Sequence, residues 1–438
     1  MFNYNLKLAL KSMRRNPMMT ALMVAAIAVG IGVSMTTLSV YYMMSSNPIP
    51  EKSEQLFAIT LDSWNPLRPF NPDKPEQAPH QLTFQDAERL LALAGGKRQA
   101  AMFESSLVIE PVGADDLPFE AGARVTNADF FAMFNVPFLF GGAWDASADS
   151  AAERVVVLTR KLNDRLFGGE NSVGKTLTMQ GDRFQVIGVM DNWAPTPRFY
   201  DPINGGFQEV NEMFIPFSLT RVLELQSEGS DWGWKSEDVN SFEQWLMSES
   251  CWIQYFVELE NSSDKQDYLA HLDAYVGQQK QLGRFERPMN NNLFNVEEWM
   301  EYHEVVANDS KVLVGLSFLF LVVCVISTIA LTLTKFVGKK SETSLRRALG
   351  ASRSIIFRQQ IVEVGIIGFC GGLIGLLLVA LGLQGIKFLY DSSDGLVRLD
   401  WLMILAALGI AIISSVIAGL YPAWRVCNIP PASQLKTQ

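Results

Sequence analysis

Residues 334–375 read TKFVGKKSETSLRRALGASRSIIFRQQIVEVGIIGFCGGLIG, and they join a strongly cationic segment to an apolar, glycine-rich one. Seven Lys and Arg residues lie between Lys335 and Arg358, with Glu342 as the acid among them. A basic amphipathic helix beside a membrane span can lie on the membrane face and pass a push from a soluble partner to the spanning helices. The same charges also suit a loop that only fixes the topology, and both interpretations stay open on composition alone.

Four runs of 23 to 28 residues contain no Asp, Glu, Lys or Arg: 17–44, 312–334, 364–386 and 401–424. A helix of about 20 residues crosses the hydrocarbon layer, so each run is long enough to span it. A core helix of this length would normally have a polar face, which these runs lack. We therefore predict an α-helical membrane protein with four transmembrane helices, the last three at 312–334, 361–389 and 401–424.

The charges orient these predicted spans. The segments before the first span, between the second and third, and after the fourth carry thirteen Lys and Arg and one acid, whereas the remainder carries 23 cations and 45 acids. By the positive-inside rule the three basic segments are cytoplasmic, and so are both termini. The first span is too long for the apolar core of a signal peptide, and we expect it to be retained.

The segment between the first two spans has the composition of a large soluble domain. Compact or alternating apolar segments predict strands, and they include EQLFAITLD, RVVVLT, DRFQVIGVM and CWIQYFVELE. Apolar residues at helical spacing predict helices, with Thr83, Asn127 and Ser263 as caps for three of them. Strands and helices without regular alternation predict a large α+β domain inserted between the first and second transmembrane helices.

Two motifs suggest chemistry, and we assign neither a site. Residues 169–176, GENSVGKT, fit the phosphate-binding pattern G-x-x-x-x-G-K-[ST]. That loop must follow a buried strand and open a helix, whereas here a helical segment precedes it and a hairpin pattern follows. His80, His271 and His303 are far apart and lack a recognisable hydrolase context. We expect no catalytic residue, no metal site and no bound cofactor in this chain.

Three further features are interpreted as structural or as contacts. The third span has small residues at helix-packing spacing, namely Gly368, Gly371, Gly372 and Gly375. In the same span Glu363 would be costly at mid-membrane, but near the cytoplasmic end it can reach head groups and cations such as Arg358. An acidic, Trp-rich stretch at 227–252 is either a docking surface or part of the core.

Several segments resemble the FtsX-like permease region and the periplasmic domain of MacB-type ABC transporters. The run from Glu342 to Ala351 resembles the family motif E-x-x-x-R-R-A-L-G-A, and GLYPAWRVCNIPPASQL near the end resembles its terminal motif. Residues 125–145, VTNADFFAMFNVPFLFGGAWD, resemble the periplasmic domain. The resemblance implies a coupling element in which Glu342, Arg346, Arg347, Gly350 and Ala351 respond to an ATPase.

The resemblance also implies domain boundaries. Residues 1–44 would hold an interfacial helix and the first span. Residues 45–310 would form the periplasmic domain, with a membrane-proximal part at about 45–111 and 250–310 and an inserted outer part at about 112–249. Residues 311–438 would form the permease domain, in which 335–360 is the cytoplasmic coupling segment.

The resemblance further implies a multi-pass subunit of the cell inner membrane whose partners are membrane lipid, an ABC ATPase dimer that binds ATP and Mg²⁺, and a second permease copy, identical or not. We expect export of peptides or small amphiphiles by mechanotransmission, with a periplasmic adaptor and an outer-membrane channel, and no nucleic-acid partner. Two alternatives stay open: lipoprotein release, as in LolC/LolE relatives, and FtsX-like control of a periplasmic cell-wall enzyme. A copurifying adaptor, lipoprotein chaperone or hydrolase would separate the three.

Overall fold

The computed structural model describes residues 2–93, 95–111, 117–306, 308–390 and 401–427. The chain divides into two compact units, which we call the sheet unit and the helical unit. The sheet unit is Ser46–Val305, and the helical unit is Met1–Ser45 with Val306–Gln438.

The helical unit begins with two consecutive helices, α1 (Phe2–Arg15) and α2 (Pro17–Ser45). Pro17 is the first residue of α2, a position where its missing N–H breaks no intrahelical bond. At the same end the Thr20 hydroxyl donates to the carbonyl oxygen of Asn16 at 3.0 Å. The short break between the helices therefore separates the basic α1 from the uncharged α2.

The strands of the sheet unit belong to one mixed sheet. Among the described residues they are β1 (Leu56–Thr60), β2 (Leu82–Thr83), β3 (Arg98–Glu110), β4 (Phe119–Thr126), β5 (Phe138–Gly141), β6 (Val155–Leu158), β7 (Thr176–Met179), β8 (Asp182–Met190), β9 (Met213–Pro216), β10 (Cys251–Glu258) and β11 (Asn292–Asn295). The order is β11-β1-β10-β3-β4-β9-β6-β8-β5, with β2 on β10 and β7 on β3 and β8. The β4–β9 and β6–β8 pairs are parallel and the other pairs are antiparallel.

Helices cover both faces of this sheet. They are α3 (Phe84–Leu93), α4 (Asp129–Met133), α5 (Ala146–Ala151), α6 (Arg160–Phe167), α7 (Leu219–Val222), α8 (Phe242–Leu246), α9 (Lys265–Gln281) and α10 (Val296–Tyr302), with a 3₁₀ turn at Ser262–Asp264. Because successive strand residues point to opposite faces, Tyr255 packs into the core beside α3 and α9, while Phe256 packs into the core beside α4 and α10. All eight residues of β10 are accordingly buried.

Of the three predicted helix caps, one is confirmed. The Thr83 hydroxyl accepts from the Asp86 N–H at 3.2 Å. The prediction for Asn127 is wrong, because its side chain bonds the backbone of β3 instead, accepting from the Ala101 N–H at 3.0 Å. Ser263 is also not a cap, since its hydroxyl donates to Asp264, the residue at the cap position. In both failures a nearby polar group competes for the side chain.

A cluster of buried ion pairs holds the long connection between β8 and β9 against the sheet. Arg124 of β4 donates to Asp201 at 2.6 Å and to Glu104 of β3 at 2.8 Å, and Arg198 donates to the same Glu104 at 2.8 Å. Burial by itself raises the pKa of Asp201, but the two guanidinium groups more than offset this and leave the pKa lowered. Removing one partner of such a buried pair typically costs about 3–5 kcal/mol.

The chain returns to the helical unit through α11 (Asn308–Val337), α12 (Lys340–Ala348), α13 (Arg353–Tyr390) and α14 (Trp401–Cys427). Among the described residues, four helices are long and apolar enough to cross a membrane: α2, α11, α13 and α14. The predicted fold class is confirmed, because the large mixed domain lies between the first two of them. Residues 391–400, between α13 and α14, lie outside the described residues.

Candidate functional site

The cationic segment that follows the second span forms the short helix α12. Glu342 lies in its first turn and Arg346 and Arg347 in its last, as the helix dipole favours. Glu342 and Arg346 also pair across one turn at 2.7 Å. The helix ends just before Gly350, whose φ of +100° suits a residue without a Cβ. The Gly350 and Ala351 N–H groups donate back to the carbonyl oxygens of Arg347 and Arg346.

Polar contacts join α12 to three other helices. Glu342 accepts from Arg15 of α1 at 3.0 Å, Arg346 donates to Gln359 of α13 at 3.2 Å, and Arg347 donates to the backbone carbonyl of Cys427 in α14 at 3.2 Å. The first pair is solvent-exposed, and such pairs contribute only about 0–1 kcal/mol. Of the predicted coupling residues, Glu342, Arg346 and Arg347 thus lie on one short helix, and Gly350 and Ala351 follow its end.

A buried ion cluster lies next to α12 and connects the ends of the spans. Glu363 of α13 pairs with Lys335 of α11 at 2.8 Å, and the two side chains are 1% and 0% exposed. Lys339 approaches the same carboxylate at 3.1 Å, and Ser12 of α1 donates to it at 2.6 Å. Lys335 also donates to Thr20 of α2 at 3.0 Å. The Glu363 carboxylate therefore connects α13 to α1 and α11. Lys335 also connects α11 to α2.

Glu363 reaches cations, as the sequence predicts, but Arg358, the cation named as an example, is not one of them. Five residues along a helix correspond to a rotation of roughly 140° beyond a full turn, so the two side chains project from different faces of α13. Arg358 is exposed, whereas Glu363 is buried among α1 and α11. The partners of Glu363 lie outside α13, so they could not be predicted from the sequence of α13 alone.

A cavity of about 240 Å³ lies between α1, α12 and α13. Its lining includes Lys11, Arg15, Lys339 and Arg346 as cations and Glu342 and Glu363 as acids. Two of the predicted coupling residues, Glu342 and Arg346, therefore line the same polar cleft as Glu363 and Lys339 of the buried ion cluster.

Two apolar side chains on α12 and at its end were not singled out from the sequence. Leu345 is 55% exposed and Leu349 is 81% exposed, and they are four residues apart. Residues at this spacing lie on one helical face. Within the part of the chain that the structure describes, this face carries two uncovered leucines, a feature typical of a contact with another molecule.

The four predicted packing glycines of α13 lie at two different contacts. Gly368 and Gly372 approach α14, where an added Cβ on Gly372 would come within 2.8 Å of the Ala411 Cβ. Gly371 and Gly375 approach α2, where an added Cβ on Gly371 would come within 2.8 Å of Ile27. The third span thus has two small-residue pairs at i, i+4 spacing, one for each neighbour.

The phosphate-loop pattern has the wrong structural context for nucleotide binding. Gly169–Thr176 follows helix α6 and leads into strand β7, and strand β8 returns as a hairpin. A phosphate loop has the reverse order, so that its N–H groups and the helix N-terminus meet the phosphates.

Two of the three histidines are brought together, which their sequence positions gave no reason to expect. The rings of His80 and His303 are 4.5 Å apart in an edge-to-face arrangement. Burial, with Lys74 nearby, lowers the pKa of His80 to about 4, and burial next to His80 lowers the pKa of His303 to about 2. Both rings are therefore neutral at pH 7.

The Trp-rich stretch divides between core and surface. Trp252 is buried against Trp245, with ring centroids 4.5 Å apart. The Trp234 indole donates to the Ser63 carbonyl, and Trp232 is 44% exposed beside Phe70. Most of these rings are thus held by the sheet unit itself.

Two family models match the chain. The MacB-like periplasmic core domain matches residues 20–275, and the FtsX-like permease C-terminal domain matches residues 314–431. The chain belongs to the MacB-like ABC permeases. As a MacB-like permease it is a membrane protein in which a MacB-type periplasmic domain is combined with an FtsX-like permease domain.

Relatives of this MacB-like permease are distant. The macrolide export ATP-binding/permease protein MacB of Azoarcus sp. is 22% identical over 98% of this chain and 59% of the relative. MacB of Syntrophobacter fumaroxidans is 22% identical over 72% of this chain and 47% of the relative. The pyoverdine export ATP-binding/permease protein PvdT of Pseudomonas savastanoi is 24% identical over 73% and 45%. The chain spans about half the length of these relatives.

Solved structures give weak matches. The periplasmic region of MacB from Actinobacillus actinomycetemcomitans aligns with 58% of this chain and 95% of that chain, at 14% identity and a TM-score of 0.37. The extracellular domain of the ABC-type transporter YknZ from Gram-positive bacteria aligns with 55% of this chain and 100% of that chain, at 14% identity and a TM-score of 0.33.

Proposed function

We propose that this chain is the permease subunit of an ABC exporter that works by mechanotransmission. In this proposal a separate ATPase subunit binds and hydrolyses ATP, and this chain carries the resulting movement across the membrane to its periplasmic domain. The family supports an ABC exporter permease, and the names of the relatives refer to export of macrolides and of pyoverdine.

We infer the orientation from the distribution of charge. We place α12 and both termini in the cytoplasm and the sheet unit in the periplasm. The basic segments support this, since they flank the spans at the end where α1 and α12 lie. The match to the MacB-like periplasmic core domain, which covers most of the sheet unit, supports the same orientation.

The observation that carries the proposal is the contact pattern of α12. A displacement of this helix acts directly on α1, α13 and α14 through Arg15, Gln359 and the Cys427 carbonyl. The Glu363 cluster then links α13 to α11, and Lys335 links α11 to α2. Since α2 and α11 are the two helices that lead into and out of the sheet unit, movement of α12 can reach both connections.

We place the ATPase contact at the exposed leucines of α12. Leu345 and Leu349 offer an apolar face beside charged groups, which is the composition of a protein-binding patch. In the assembly we propose, two ATPase subunits, which hold ATP and Mg²⁺, meet two permease copies, with an adaptor and an outer-membrane channel on the far side. The cargo we propose is a peptide or a small amphiphile.

Copurification tests this proposal. The full chain would be isolated from its native membrane with an affinity tag, and its companions identified by mass spectrometry. We expect an ABC ATPase together with an adaptor or channel. A lipoprotein chaperone or a cell-wall hydrolase in their place would contradict export.

The contact itself is tested by Leu349→Asp. Burying a carboxylate in a protein interface is costly, so we expect loss of the ATPase with an unchanged melting temperature of the isolated chain. Leu67→Asp is the matched control, because Leu67 is an exposed leucine of the sheet unit. Retention of the ATPase by the Leu349 variant, or equal loss with both variants, would refute this contact.

A further inference from the structure

The cleft between α1, α12 and α13 has an excess of positive charge. Four cationic side chains and two carboxylates line it, and Lys335 adds a fifth cation directly behind Glu363. Both carboxylates already accept from two cations each: Glu342 from Arg15 and Arg346, Glu363 from Lys335 and Lys339. The remaining positive charge is therefore available to an anion.

The donors that face an incoming anion come from α1. Lys11 lies on the same helical face as Arg15, one turn earlier, and among the described contacts its ammonium group has no partner. The Arg15 guanidinium is 74% exposed and donates to Glu342 through one of its nitrogens. These groups can bind a phosphate through charge-assisted hydrogen bonds while the existing ion pairs stay intact.

Size and position indicate the source of the phosphate. The volume of about 240 Å³ is below the range of about 300–1,000 Å³ usual for pockets that enclose a whole small ligand. The cleft lies at the ends of the spans, next to the basic helix α1, where lipid head groups meet protein. Clusters of Lys and Arg beside a spanning helix or on an amphipathic helix at this level bind anionic lipid head groups.

We propose that this cleft binds the phosphate of an anionic phospholipid head group, held between α1 and α12. A bound head group would connect Lys11 and Arg15 to Lys339 and Arg346, and so would restrain the helix that carries the coupling residues. The inference requires the helical unit to lie in a membrane, but it does not require coupling to ATP.

The test is native mass spectrometry of the full chain in detergent, with dioleoylphosphatidylglycerol as the anionic probe and dioleoylphosphatidylcholine as the zwitterionic one. We expect one retained phosphatidylglycerol per chain and preference over phosphatidylcholine. Lys11→Glu changes the local charge by two, and since each charge near a membrane surface contributes roughly fivefold in affinity, retention should weaken by about 30-fold. The melting temperature in detergent without added lipid should not change, because Lys11 is exposed.

Arg14→Glu is the matched control. Arg14 is exposed on the same helix and is not among the residues that line the cleft. Equal losses in both variants would mean general attraction to α1 and would overturn the site. Displacement of the lipid by inorganic phosphate at equal concentration would identify free phosphate as the ligand and overturn the lipid assignment. No lipid preference, with loss of a soluble partner in Lys11→Glu, would assign the cleft to protein binding and also overturn it.

Discussion

Glu363 should be more important for the helical unit than either lysine that it binds. Glu363→Leu would leave Lys335 at 0% exposure without its carboxylate, and would also remove the acceptor for Ser12 and Lys339. Lys335→Met, by contrast, would leave Glu363 with Lys339 at 3.1 Å and Ser12 at 2.6 Å. The two substitutions therefore damage the same cluster to different extents.

The magnitudes follow from what each substitution leaves unpaired. Removing the only carboxylate of a buried pair costs about 3–5 kcal/mol. Removing one of two cations costs about 1.5–3 kcal/mol, the typical value of hydrogen bonds to a charged group. The double variant Lys335→Met, Glu363→Leu replaces the buried pair with apolar groups and should be less destabilised than Glu363→Leu alone. The coupling energy in the double-mutant cycle should thus be about 2 kcal/mol or more.

The assay is unfolding of the full chain in mixed micelles by sodium dodecyl sulfate, followed by the helical circular dichroism signal. Lys311→Met is the matched control, since it is the same substitution at an exposed position of α11 and should be nearly neutral. Equal destabilisation by Lys335→Met and Glu363→Leu, or additive effects in the double variant, would refute the cluster as the link between the spans.

Two further predictions concern other parts of the chain. Gly368→Ala should destabilise the helical unit, because the new methyl group would overlap Ser415 of α14. Gly365→Ala on the same helix is the control, since its methyl group would meet nothing within 4 Å, and it should be neutral or slightly stabilising. The two variants are compared by their melting temperatures in detergent, and equal shifts would contradict the packing. The sheet unit should lose stability as the pH falls from 7.5 to 5, by about 1–2 kcal/mol for each of His80 and His303. In the unfolded chain each histidine takes up a proton near pH 6.5, whereas in the folded protein the pKa of His80 is about 4 and that of His303 about 2. His303→Leu should reduce this pH dependence in urea unfolding followed by Trp fluorescence, and an unchanged slope would contradict the assignment.

Features set by local sequence could be predicted well. Four spanning helices were predicted from uncharged runs that are long enough to cross the membrane. A charged side chain within such a run would be costly on any face of the helix. The spacing of glycines in α13 marked a packing helix, although it did not indicate that Gly368 and Gly371 face different neighbours. The exposed pair Leu345 and Leu349 also had a signal, since leucines four residues apart in a charged helix form an apolar stripe.

Features set by distant residues could not be predicted. Arg358 of the same helix was the example given of a cation within reach of Glu363, whereas the buried Lys335 approaches from another helix. Asn127 was assigned to a local helix cap, although a neighbouring strand competes for the same side chain. His80 and His303 meet only because the fold brings the loop before β2 to the end of α10. In each case the decisive contact crosses a long sequence separation.

We propose that α12 faces the compartment that contains ATP, while the acidic sheet unit faces the opposite one. Cysteines introduced one at a time at the exposed positions 349 and 67, with the four native cysteines replaced by Ser, test it most directly. They are labelled in intact cells with a membrane-impermeant maleimide. We expect Leu67→Cys to be labelled in intact cells and Leu349→Cys to be labelled only after the membrane is permeabilised. Labelling of both cysteines in intact cells would place the two units on the same side and contradict the account.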